Sequence, residues 1–244
     1  MQFLRPLAFL SLLTPAAPLA AQVGEGIDSV ALLNAMMELF NSEAVKVEPV
    51  YAFQHQVSYT SEQTSPLGDE RKEAFTIHFS TGSQVIGILQ DMSHHGTPGQ
   101  MFVVFDAQQM ATASFIKTDT MQLCMRMKIP DMGGEGRQVR FKASGKERGI
   151  AGMQAKEWVS EGKEDGTHLW IADSEVGDLG GVFKAFGKIN GKPSLGAGAY
   201  GNGLVLAGTF TRTGEEAPFY SFEAQQVKLN TPFVFSSEGY RTGM

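Results

Sequence analysis

The sequence predicts an α+β domain: a large, curved antiparallel β-sheet of half-barrel type, packed on about two helices. Three observations lead there. Apolar and polar residues alternate with a period of two through most of residues 51–236, the pattern of strands with one buried face. The strands are short and joined by tight polar turns, which favours antiparallel neighbours. Only two stretches of the expected mature chain, near 28–41 and 175–189, carry apolar residues at helical spacing.

Residues 1–21 have the order of a secretory signal peptide: Arg5 near the start, an apolar run from Leu7 to Leu13, then small residues up to Ala20 and Ala21, where cleavage is expected. A short buried helix is the alternative. The run is too short for a bilayer, which takes about 20 apolar residues. Pro15 and Pro18 interrupt the segment after it, and no cysteine at the junction offers a lipid attachment point. Nothing later is apolar enough to cross a membrane. The expected product, residues 22–244, is one soluble exported domain, periplasmic or extracellular and not lipid-anchored.

In GIDSVALLNAMMELFNSE, Asp28 or Ser29 can cap a helix whose Val30, Leu33, Met37 and Phe40 form one stripe. YAFQHQVSYT then reads as a strand with Tyr51, Phe53, His55, Val57 and Tyr59 on one side. EAFTIHFSTG repeats the pattern, setting Phe75, Ile77 and Phe79 against Thr76, His78 and Ser80. SQVIGILQD and QMFVVFDA are short apolar strands, with MSHHGTPGQ as the loop between them. Met121, Leu123, Met125, Met127 and Ile129 alternate with Gln122, Cys124, Arg126 and Lys128. Residues 137–162 read as two strands around a turn, and THLWIAD as another. In EVGDLGGVFKAFGKI, Leu179, Val182, Phe183, Phe186 and Ile189 recur at helical spacing. Its glycines weaken that helix by roughly 1 kcal/mol each relative to alanine. GLVLAGTFTR, FYSFEAQQVKL and PFVFS close the chain as strands.

Several chemistries are disfavoured. The formal charge is −6, or −7 without Arg5, and the basic residues form no stripe for nucleic acid. Gly196, Gly198 and Gly201 match G-x-G-x-x-G, but a strand-like segment comes next where a dinucleotide site needs a helix, so no cofactor is expected. There is no H-E-x-x-H or C-x-x-C, His94 and His95 fall in a loop, and His55 and His78 project to opposite faces, so no metal is expected. G-x-S-x-G is absent, and Glu161, Glu164 and Asp165 read as a turn. A Ser-His-Asp set assembled from distant residues stays open.

TMQLCMRMKIP combines thioethers with the chain's only cysteine, a set that suits Cu(I). On a strand, however, Met125 and Met127 face one side and Cys124 the other. That leaves a methionine-lined core or a deformable apolar cavity.

SGKERGIAGMQAKEWVSEGKEDGTHLWIAD resembles the pattern of the domain of unknown function 4412 family, on Gly145, Ile150, Gly152, Ala155, Glu157, Trp158, Trp170 and Ala172. YAFQHQVSYT, MFVVFDAQQM and PFVFSSEGYRTGM are also similar to it. Many members have cysteine where Ala155 stands, so no redox or metal role is carried over there. The family's organisation is similar to half-barrel periplasmic lipoprotein carriers of the LolA/LolB type. The resemblance implies a curved sheet over helices with an apolar concavity, and no catalytic residues.

The expectation is therefore a non-enzymatic protein of the cell envelope that binds or carries an apolar, lipid-like ligand in a sheet–helix cavity lined by Met121, Leu123, Met125, Met127, Phe183 and Phe186. The alternatives are a structural or protein-interaction module with a filled core and, more remotely, a hydrolase.

Overall fold

In the computed structural model, which describes residues 45–64, 70–93, 98–129, 141–160, 165–174, 203–212 and 217–242, the period-two stretches become strands. They run β1 (Val50–Phe53), β2 (His55–Thr64), β3 (Glu70–Phe79), β4 (Val85–Asp91), β5 (Gly99–Asp106), β6 (Ala111–Thr118) and β7 (Gln122–Lys128). Next come β8 (Phe141–Ile150), β9 (Met153–Ser160), β10 (Asp165–Asp173), β11 (Gly203–Arg212), β12 (Pro218–Lys228), β13 (Phe233–Ser236) and β14 (Arg241–Thr242). Twelve form one sheet in the order β14-β7-β6-β5-β4-β3-β2-β12-β11-β10-β9-β8, and β1 and β13 form a separate two-stranded ribbon. Neighbours pair antiparallel except β14, which lies parallel to β7.

This corrects the α+β prediction. Strands hold 76% of the described residues, and there is no α-helix among them. The two predicted helices, near 28–41 and 175–189, fall outside the described residues, as do Phe183 and Phe186. The packing partner that the structure does place against β3–β7 is the β1–β13 ribbon. Each ribbon strand is aromatic on one side, Tyr51 and Phe53 on β1 and Phe233 and Phe235 on β13, and those four rings pack on Phe102, Val104, Phe115 and Cys124.

The ribbon exists because YAFQHQVSYT is not one strand. At Gln54 the chain breaks from the ladder, and the Gln54 N–H donates to Phe79 O and Ser80 Oγ, both at 3.1 Å. Before the break, Tyr51 and Phe53 pack with Phe102 and Phe115. After it, Val57 and Tyr59 pack with Phe79 and Phe105 on the other face. Continuous alternation predicts one shared face; the break sends its two halves to opposite faces.

The sheet is curved. In a flat sheet β8 and β12 would lie about 19 Å apart, at ~4.8 Å per strand. Yet Arg148 of β8 pairs with Glu223 of β12 at 2.9 Å and stacks its guanidinium 4.4 Å from the Trp170 ring centre. Only a tight curl of β8–β12 brings those side chains together. Small residues (Ala155, Ala172 and Ala207) are buried in this region.

The predicted turn between β8 and β9 is Ala151–Gly152, with φ of 49° and 82°. Two positive φ values match the two-residue hairpin turn whose twist suits its strands. Alanine is strained there. Ala151→Gly should therefore stabilise the protein by about 0.5–1 kcal/mol, a rise in Tm of about 1–4 °C by calorimetry. No rise would show that the strain is relieved elsewhere.

Among the described residues no helix is long and apolar enough to cross a membrane.

Candidate functional site

Residues directly opposed on antiparallel strands share a face, so the registers assemble the site. One row crosses six strands as Tyr59, Phe75, Gln90, Met101, Ile116 and Leu123. The next is Val57, Ile77, Ile88, Val103, Ser114 and Met125. A third places Ile86, Phe105, Thr112 and Met127 in line. The result is an apolar surface spanning β2–β7, opposite the face covered by the ribbon.

Its burial is uneven. Val57, Tyr59, Met101, Val103 and Phe105 are buried, but Phe75, Ile77, Ile88, Ile116, Leu123, Met125 and Met127 are only half-buried. Met92 joins Met101, Val103 and Ile116 in one cluster, adding a further thioether. At one end the surface turns polar: Ser61 stands opposite Glu73, and the Gln90 amide donates to Glu73 Oε2 at 3.2 Å. An apolar surface with one polar margin suits an amphipathic molecule.

The predicted site residues fall into three groups. Leu123, Met125 and Met127 lie on this face, opposite Ile116, Ser114 and Thr112. Met121 precedes β7 and is 46% exposed. Phe183 and Phe186 lie outside the described residues. The alternation in the sequence sets Phe75 and Ile77 on one side of their strand and marks SQVIGILQD, which holds Ile88, only as a short apolar run. Joining these residues to the methionines requires the register of four intervening pairings.

Cys124 sits opposite Phe115 and is 2% exposed beneath the ribbon. Burial pushes its thiol up to about 11, against the pull of the Arg126 charge. A thiol so rarely ionised is a poor nucleophile and a poor ligand. The sulfurs are thus split between faces, as the alternation predicts. Among the described residues no three His, Cys, Asp or Glu side chains cluster in a way that could hold a metal ion.

Among the described residues the nearest approach to a catalytic set surrounds Glu157. Its carboxylate is buried, accepts from Ser144 Oγ at 2.6 Å and from His168 Nδ1 at 2.9 Å, and lies 3.5 Å from Lys146 Nζ. Burial pushes the carboxyl up, but the Ser144 and His168 hydrogen bonds and the Lys146 charge outweigh it and hold it below its usual range. The connectivity is wrong for a serine hydrolase. There the imidazole stands between hydroxyl and carboxylate; here the carboxylate stands between the other two, and Ser144 bonds Glu157. His55 bonds the Thr81 hydroxyl at 3.1 Å, and both His78 nitrogens lack partners. Gly196, Gly198 and Gly201 lie outside the described residues, and the next described element is strand β11, not a helix.

No protein-family model matches the chain, so the resemblance to the domain of unknown function 4412 family rests on its residues alone. No curated protein sequence matches either. Among solved structures the chain is similar to PNGF-II, with 13% identity over 72% of this chain and 28% of that one at a TM-score of 0.37. It therefore spans less than a third of PNGF-II. It is also similar to MucB in complex with MucA(peri), with 12% identity over 84% of this chain and 56% of that one, TM-score 0.34. A LolA-superfamily protein from Nitrosomonas europaea shows 8% identity over 84% of this chain and 95% of that one, TM-score 0.32. Overlaps this loose carry no argument about function.

Proposed function

We propose that the protein is an exported, non-enzymatic binding protein that takes an apolar, lipid-like ligand on the β2–β7 face carrying Leu123, Met125 and Met127. The observation that carries this reading is the set of cross-strand rows in which Phe75, Ile77 and Ile88 on β3–β4 and Ile116, Leu123, Met125 and Met127 on β6–β7 are only half-buried. Side chains such as Ile77, Ile88 and Met125 gain from being covered, and thioethers adapt to varied chain shapes. A sixteen-carbon chain transferred from water gains about 11 kcal/mol, at ~0.8 kcal/mol for each of about 14 methylenes. Association costs at least about 4 kcal/mol of that, which leaves micromolar affinity.

A fluorescent fatty acid should bind this protein at micromolar concentration, one per chain, and be displaced by unlabelled palmitate. No saturable binding up to about 100 µM, well above that estimate, would sink the reading. It would favour the structural module, whose support is the filled aromatic core under the ribbon.

A further inference from the structure

The ribbon is held by two histidines that the ligand face does not use. His78 of β3 lies beneath the ribbon and is 2% exposed. Its ring stacks on Phe233 of β13 with 3.8 Å between centroids, and Phe53 of β1 and Phe102 of β5 stand 6.1 Å away. Neither ring nitrogen has a hydrogen-bond partner. Its neighbours across β2 and β4 are Gln56 and Gly87, without charge. The charged groups of this face nearest in register are Lys228 beyond Gln56, Asp106 opposite Val85, and Arg126 at the far end of the row through Val104 and Ala113. None of them bonds the imidazole. A proton on it would be desolvated and unpaired, and burial lowers its pKa to about 4.

His55 begins β2 on the opposite face and anchors the turn that leads into β13. Its Nδ1 accepts the Asn230 backbone N–H at 3.0 Å. The ring proton is therefore on Nε2, which donates to Thr81 Oγ1 at 3.1 Å. Protonating Nδ1 would set a donor against a donor. The turns that meet it, residues 80–84 and 229–232, contain no charged side chain, nor does its strand partner Phe79; Lys228 precedes the second turn. Burial lowers the pKa of His55 as well.

We infer that the β1–β13 ribbon is an acid-released latch, closed on the Phe102 and Phe115 rings while His55 and His78 are neutral and lifted when they take up protons. Once lifted, each histidine regains its ordinary value near 6.5, so the open form binds protons more readily. Closure is complete above that value and is lost as pH falls from about 6.5 toward about 4. For His78 alone the closing constant at pH 5 is about twentyfold below its value at neutral pH.

Hydrogen exchange followed by mass spectrometry, corrected for intrinsic rates, tests this. Between pH 7.5 and 5, the protection of amides 50–53 and 233–236 should fall by at least about twentyfold relative to β5 and β6, because a two-stranded ribbon off the sheet is at best marginally stable in water. His78→Phe, which keeps a ring for Phe233 to stack on, should remove most of that loss, and His55→Gln with His78→Phe should remove the rest. Unchanged protection in the wild type, or the full loss in the double variant, overturns the latch. Should a variant not fold, the wild-type His78 ring protons decide. Neutral to below pH 5 supports the latch; titration near 6.5 overturns it.

Discussion

Phe102→Ala should destabilise the protein by about 3–5 kcal/mol in urea unfolding, the cost of emptying a buried phenylalanine site. At about 2–4 °C per kcal/mol for a chain of this size, Tm falls by about 10 °C. Phe102 is 2% exposed and central to the second core, with ring centroids 4.2 Å from Phe235, 5.7 Å from Phe233 and 6.1 Å from Phe53. Its ring also lies directly over Gly87, where an added Cβ would come 2.3 Å from the Phe102 ring. Gly87→Ala should consequently fail in the same direction, by pushing the ring out. The proposed ligand face is on the other side of the sheet, so Phe102→Ala should still bind fatty acid below its lowered Tm. A loss under about 1 kcal/mol would mean that the ribbon is not packed on the sheet as described.

Met125→Asp should reduce fatty-acid affinity at least tenfold, with stability changed by less than about 1 kcal/mol. The side chain is half-buried near the sheet margin, so the folded protein can hydrate the carboxylate. An acyl chain laid across Ile77, Ile88 and Met125 would strip that water, at a cost of several kcal/mol. Cys124→Ala, one residue away but on the opposite face, should leave affinity unchanged. Equal losses in both variants would point to general destabilisation and away from a face-specific site.

The strands were legible because alternation is local. Leu123, Met125 and Met127 could be assigned to one face, and Cys124 to the other, from β7 alone. The β1–β13 ribbon was not legible. Val50–Phe53 looks continuous with His55–Thr64, and the break rests on the Gln54 bonds to Phe79 and Ser80, a tertiary event. Nor could the rows be read that bring Ile77 to Met125, because register is a non-local property and a one-residue slip reverses every face. His78 looked like a residue on a wet face, since Thr76 and Ser80 flank it. It is buried because Phe233, far along the chain, returns to cover it.

A lipid-like molecule held on the methionine-bearing face should be visible by mass spectrometry of organic extracts from gently purified wild-type protein and from Met125→Asp. A stoichiometric acyl-chain species in the wild type, depleted in the variant, is the predicted result. A lipid-free wild type, or the same lipid at the same stoichiometry in both proteins, would rule out a ligand on this face.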